Sequence, residues 1–198
     1  LRDEYRAWIV GCGLKELDHY FSLFLDHVWR VAELISLHGA RVHSSYQFDQ
    51  KFQQDTNVAR KLKVVAERLA LKVELDSFQS LSLARNSLTH AAGIVRSRDL
   101  NQPQTLEVSW VAPVLVVLDG DKEIIYRSEP ADMHRVESKG GAQIILRFDR
   151  HTANFGLGQR IQLTSHNLAE ICAFYHIAAS KVLDGLKEAI RASGIPRK

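Results

Sequence analysis

The run Leu106-Glu107-Val108-Ser109-Trp110, followed by Val114-Leu115-Val116-Val117-Leu118, Asp119-Gly120-Asp121 and Lys122-Glu123-Ile124-Ile125-Tyr126-Arg127, decides the fold class. Leu106, Val108 and Trp110 alternate with Glu107 and Ser109, which is the two-residue period of a half-buried strand. Asp119-Gly120-Asp121 between two apolar runs is a hairpin signal, because Asp and Gly accept the backbone of a tight turn at little steric cost. Farther on, Gln143 to Phe148 reads as another strand and Gln159 to Leu163 as a fourth, with Ser138 to Gly141 as an exposed loop.

On both sides of this segment the apolar period is 3.6. A first helix is expected from Tyr5 to Leu37, with Leu17, Phe21, Phe24, Val28, Val31 and Ile35 on one face. Gly11 and Gly13 are expected to split off a short leading helix, and His38-Gly39 to end the long one. Arg41 to Thr56 is polar and Gln-rich, either loop or weak helix. A second helix spans Asn57 to Val73, and a third runs from the capping residues Asp76-Ser77 to Val95. The last runs from about Thr164–Asn167 to Ala192, where Gly194 and Pro196 stop it. No helix separates the strands, so a doubly wound parallel sheet is not expected. The class is mainly α (α+β): one domain, 1–198, with 103–163 a β-rich insertion before the last long helix.

The 198 residues carry 45% apolar and 25% charged side chains, ordinary globular usage that argues against disorder. The longest apolar run, Val114 to Leu118, is far short of the ~20 residues that span a bilayer, so no membrane partner is expected. The first residue is Leu1 rather than Met, so a few residues are expected to precede it, and nothing in the opening stretch resembles a secretory signal. Cys12 and Cys172 fall among apolar residues of expected helices, and buried thiols of a cytoplasmic protein are the reading. No Cys-x-x-Cys or His-Glu-x-x-His run occurs, so neither a metal nor another cofactor is expected. The formal charge of +3 is mildly basic and permits a polyanionic partner without requiring one.

The third helix holds Arg85-Asn86-Ser87-Leu88-Thr89-His90. At 100° per residue, Arg85 falls about 40° from the centre of the stripe of Phe78, Leu81, Leu88, Ala92 and Val95. A guanidinium beside a packing face must find a partner or water, a situation expected at a cleft or an interface. Asn86 and His90 are one turn apart, whereas Arg85 and His90 are roughly 140° apart. A second copy of the helix across a two-fold axis would complete the cluster. Lys61, Arg68 and Lys72 share another helix face, which is either a solvated surface or a strip of phosphate contacts, and Arg96 and Arg98 follow the His closely.

This segment resembles the signature of the HEPN superfamily: an Arg, a polar residue (often Asn), and a His four to six residues after the Arg, on a helix. Arg85, Asn86 and His90 stand in those positions, and Gly93-Ile94-Val95 is similar to what many members carry after the His. One departure is Ala92, where some members regulated by a nucleotidyltransferase antitoxin have a Tyr. The resemblance implies a HEPN-like helical bundle, a homodimer, and a metal-independent endoribonuclease of the toxin or defence type, with RNA as substrate and an antitoxin protein as partner. It implies His90 as acid or base, Arg85 as charge stabiliser and Asn86 as orienting group, with Arg96 and Arg98 extending a positive path for RNA; read from their spacing, Lys61, Arg68 and Lys72 are the further candidate RNA contacts. HEPN-like chains also include non-catalytic dimerisation and interaction modules, and a small-molecule sensor is a third reading. A nuclease needs Arg85 and His90 on one solvent-reachable groove, whereas in an interaction module they would be buried or far from a partner copy.

Overall fold

The computed structural model describes residues 2–38, 49–119, 122–126 and 141–195. The order is α1 (Arg2–Ser36), α2 (Gln50–Gln54), α3 (Val58–Arg68), α4 (Leu75–His90), β1 (Thr105–Asp119), β2 (Lys122–Tyr126), β3 (Gln143–Gly156) and α5 (Ser165–Ala192). Helices and a three-stranded antiparallel sheet make the chain α+β, as the change of period predicts. Among the described residues no helix is long and apolar enough to cross a membrane.

α1 does not break at Gly11 and Gly13. A glycine inside a helix costs about 1 kcal/mol relative to alanine, yet both lie where other helices press close. A Cβ on Gly11 would meet Leu88 Cβ of α4 at 3.0 Å, and one on Gly13 would meet Leu168 Cδ2 of α5 at 3.2 Å. The glycines therefore shorten helix–helix distances rather than end a helix. In the polar stretch 41–56, Asp49 caps the five-residue α2, and 41–48 lie outside the described residues.

Two helices stop earlier than expected. α3 ends at Arg68, because Ala70 takes a φ of 53° and Leu71 N–H turns back to Ala66 O at 2.8 Å. α4 ends at His90 rather than Val95. Ala92 (φ 50°) and Gly93 (φ 78°) are left-handed, and Ala91 and Gly93 both donate to Ser87 O. Glycine adopts that conformation without a Cβ penalty. The Gly93-Ile94-Val95 segment then clips to residues 158–161: Val95 N–H donates to Gln159 O, and Ile161 N–H to Gly93 O. The fourth strand expected at Gln159 to Leu163 is reduced to this clip, a single bridge between Ile94 and Arg160. Nor do Asp76 and Ser77 cap α4. The helix starts at Leu75, and Ser77 is buried beside Ser80 and Ser109, where Ser80 Oγ accepts from Ser109 N at 3.0 Å.

The sheet order is β2-β1-β3. Asp119 pairs with Lys122, so the hairpin expected at Asp119-Gly120-Asp121 is formed, although Gly120 and Asp121 themselves lie outside the described residues. The two expected strands 106–110 and 114–118 are one strand that runs through Pro113. Among the described residues β2 pairs with β1 from Leu115 onward, so no described strand lies beside Pro113 on that side, where a strand tolerates a missing N–H. β3 continues past Phe148 to Gly156, because every residue of it pairs with β1. Arg127 and the loop at Ser138 to Gly140, like Pro196 at the end of the last helix, lie outside the described residues.

Leu106, Val108 and Trp110 of β1 share one core with Leu14, Phe21 and Leu25 of α1, Leu62 of α3, Phe78 and Leu81 of α4, and Ile171 and Phe174 of α5. Burying each such side chain is worth about 1.5–3 kcal/mol. Thus the proximal half of the β-rich segment 103–163 is packed within the helical core. Cys12 is half-buried, whereas Cys172 is exposed, against the expectation for both thiols. It lies one step round α5 from the buried Ile171.

Candidate functional site

α1 crosses α4 where Gly11 meets Leu88, and a groove of about 440 Å³ opens beside this crossing. Trp8, Gly11, Cys12 and Lys15 line it from α1, and Arg85, Asn86, Leu88, Thr89 and His90 from α4. The three residues of the Arg-Asn-x-x-x-His pattern therefore share one open groove.

Arg85 is held on two sides. Its Nη1 lies 2.8 Å from Asp18 Oδ2, and its Nε and Nη2 donate to Asn86 Oδ1 at 3.3 and 2.9 Å. Its side chain keeps 24% exposure, whereas that of Asp18 has 4%. Asp18 also accepts from the Tyr175 hydroxyl of α5 and, at 3.5 Å, from Ser82 Oγ. Burial pushes the Asp18 carboxyl above the ordinary range, although Tyr175, Arg85 and Ser82 pull the other way. Burial, then the adjacent Asp18, pushes the Tyr175 phenol well up. A carboxylate beneath and an amide alongside thus fix the guanidinium plane, with the remaining face toward the groove.

His90 is the last residue of α4 and is exposed. No hydrogen bond joins it to Arg85 or Asn86 among the described residues, so within one chain Arg85 turns toward Asp18. Thr89 Oγ1 donates to Arg85 O at 2.8 Å, a bond within the helix.

The expected basic contacts do not gather at this groove. Lys61 is not on a surface strip with Arg68 and Lys72. Its side chain is 2% exposed, and its ammonium donates to Asp26 Oδ1 (2.8 Å), Ser22 Oγ (2.9 Å) and Gln53 O (3.4 Å) beside the Phe52 ring. An ammonium facing the core must be paired, and Asp26 of α1 pairs it. Arg68 and Lys72 are exposed, but Lys72 lies beyond the end of α3. Arg96 and Arg98 are exposed around the 3-10 turn Ser97–Asp99, where Arg98 Nε lies 3.8 Å from Asp99, and neither lines the groove.

Asp18, Tyr175, Trp8 and Lys15 belong to the site without having been singled out from the sequence. Asp18 carried a usable signal. It falls between Leu14 and Phe21 on the buried stripe of α1, and a carboxylate there demands a cation such as the one on the stripe of α4. Comparison with protein-family models, curated proteins and solved structures gives no match to this chain.

Proposed function

We propose that the protein is a metal-independent endoribonuclease of HEPN type, a toxin or defence effector whose site is shared by two copies of a HEPN-like bundle. The observation that carries this reading is the groove itself, where Arg85, Asn86 and His90 are all reachable from solvent and the guanidinium is oriented before any ligand arrives. In the proposed reaction the RNA 2′-oxygen attacks the adjacent phosphorus while a base takes its proton. The bond from phosphorus to the 5′-oxygen breaks, and an acid protonates that oxygen. The products are a 2′,3′-cyclic phosphate and a 5′-hydroxyl.

An imidazole titrates near pH ~6.5 as a free side chain and suits either proton transfer. Two copies would supply one His90 for each role. Arg85 would stabilise the charge that builds on the phosphate oxygens, and its fixed plane suits two-point contact. Asp18 would act as a positioning residue, through Arg85.

Replacing His90 with Ala should lower cleavage by about 10²–10⁴-fold with an unchanged circular dichroism spectrum. Arg85→Ala should lower it by about 10²–10³-fold. The readout is RNA carrying 2′,3′-cyclic phosphate ends at equal protein concentration. Cleavage by His90→Ala at the parent rate removes the nuclease reading from this groove.

A further inference from the structure

We propose that this groove binds single-stranded RNA, with Trp8 as a stacking platform for a base and with Lys15 and Arg85 as contacts for the adjoining phosphates. The proposal rests on the nuclease reading for the choice of polymer and specifies how the strand lies. Trp8 is 61% exposed and Tyr5 62%, so neither ring serves the core. The two rings stack on each other, with centroids 5.8 Å apart and planes 22° apart. Tyr5 thus braces one side of an indole that lines the same groove as Arg85, Asn86 and His90.

Lys15 is seven residues after Trp8 on α1, so the two share a face and lie about 10 Å apart along the axis. No carboxylate pairs with Lys15 among the described residues, and none of the groove-lining residues is acidic. Asp18, the carboxylate paired with Arg85, is itself buried. An aromatic face flanked by cations, with no acidic wall, is the arrangement that holds single-stranded nucleic acid, because stacking accepts any base and the cations follow the backbone. The volume, about 440 Å³, falls within the ~300–1,000 Å³ of sites for small ligands, which fits a nucleotide unit rather than a duplex.

The test uses a 2′-O-methyl single-stranded oligonucleotide, which lacks the attacking hydroxyl and so reports binding alone. The chain has three tryptophans; Trp110 is buried, and Trp29 is half-buried against Phe52, so a surface ligand acts on Trp8 emission. Binding should quench that emission. Trp8→Ala should weaken binding about 5- to 150-fold, the range for one lost stack, and Trp8→Phe should recover most of it. Lys15→Ala should weaken binding and reduce the slope of log affinity against log salt by about 1. Unchanged affinity in Trp8→Ala, or no binding of the probe to the parent, overturns the proposal. So does an indole shielded from iodide in the free protein at micromolar concentration, which would place a second copy over Trp8. If the probe binds through Trp8 while His90→Ala cleaves like the parent, the platform stands and the nuclease reading fails. If cleavage depends on His90 and binding ignores Trp8, the platform alone fails.

Discussion

Lys61 and Arg85 are both cations on packed helices, and their surroundings separate structure from chemistry. Lys61 is enclosed and has all its partners in the fold, whereas Arg85 has a carboxylate behind it and keeps a face toward the groove. Removing one partner of a buried pair leaves the other charge uncompensated, at a cost of about 3–5 kcal/mol. Lys61→Ala should therefore lower unfolding stability in urea by an amount near the lower end of that range, since the Asp26 side chain retains 13% exposure. Oligonucleotide binding should be unaffected; a variant within 1 kcal/mol of the parent contradicts this account. Asp18 gives a second expectation. Its folded-state carboxyl lies above the unfolded value of 3.8 because burial dominates. Between those two values the native state binds more protons than the unfolded state, so this group lowers stability as pH rises through the window. Asp18→Asn abolishes the titration. Urea titrations from pH 4 to 7 should show the variant gaining on the parent as pH rises; a gain in the opposite direction would mean that Arg85 outweighs burial.

At the scale of elements, the helices could be read from their apolar stripes, and the switch to strands from the alternation at Leu106, Val108 and Trp110. What misled was punctuation whose meaning depends on a neighbour. Gly11 and Gly13 look like breaks, but they are contact points that only the crossing helices reveal. Gly93 was legible as a helix stop after His90, yet Ala92 and Val95 continue the apolar stripe and hide it. His151 to Gly156 lacks a clear apolar period because its order comes from pairing with β1 and from His151 and His166 flanking Glu170, which also accepts from the Trp110 indole. Of the site, the Arg85, Asn86 and His90 triplet was visible in one helix. Trp8, Lys15, Asp18 and Tyr175 reach the groove or its floor only through the packing of α1 and α5. The glycines permit a direct comparison. Ala at Gly11 would meet Leu88 Cβ, which is fixed to its backbone, so overpacking of about 1–3 kcal/mol should exceed the gain in helix propensity and lower the melting temperature. Ala at Gly13 would meet the methyl end of Leu168, which can rotate, so its melting temperature should stay near or above that of the parent. No loss at Gly11 would argue against α1 and α4 being in close contact at the groove, and a loss at Gly13 as large as that at Gly11 would mean that Leu168 does not give way.

For the whole molecule, the groove lies at the C-terminal end of α4, and one chain places His90 there without a bond to Arg85. A reaction that needs both an acid and a base then calls for a second copy. A two-fold axis near α4 brings the same residues of both chains together, since an isologous interface repeats each contact. Light scattering should give a dimer at micromolar concentration, and a monomer alone would count heavily against the shared site. Cleavage should also persist in excess chelator, since the proposed roles fall to Arg85, Asn86 and His90; loss with chelator and recovery with a divalent ion would overturn the mechanism. The sharpest test is complementation. Homodimers of Arg85→Ala and of His90→Ala should each be inactive. Exchange between them creates heterodimers in which one chain keeps its Arg85 and the other its His90. If the shared site works with a single Arg85 and a single His90 from opposite chains, cleavage should return in proportion to the heterodimer fraction and vanish when exchange is blocked. If every site draws both residues from one chain, or needs both imidazoles, the mixture stays silent. Silence together with a proven heterodimer is what one imidazole for each proton transfer requires, while recovered cleavage would show that a single His90 suffices and would assign Arg85 and His90 of opposite chains to one composite centre.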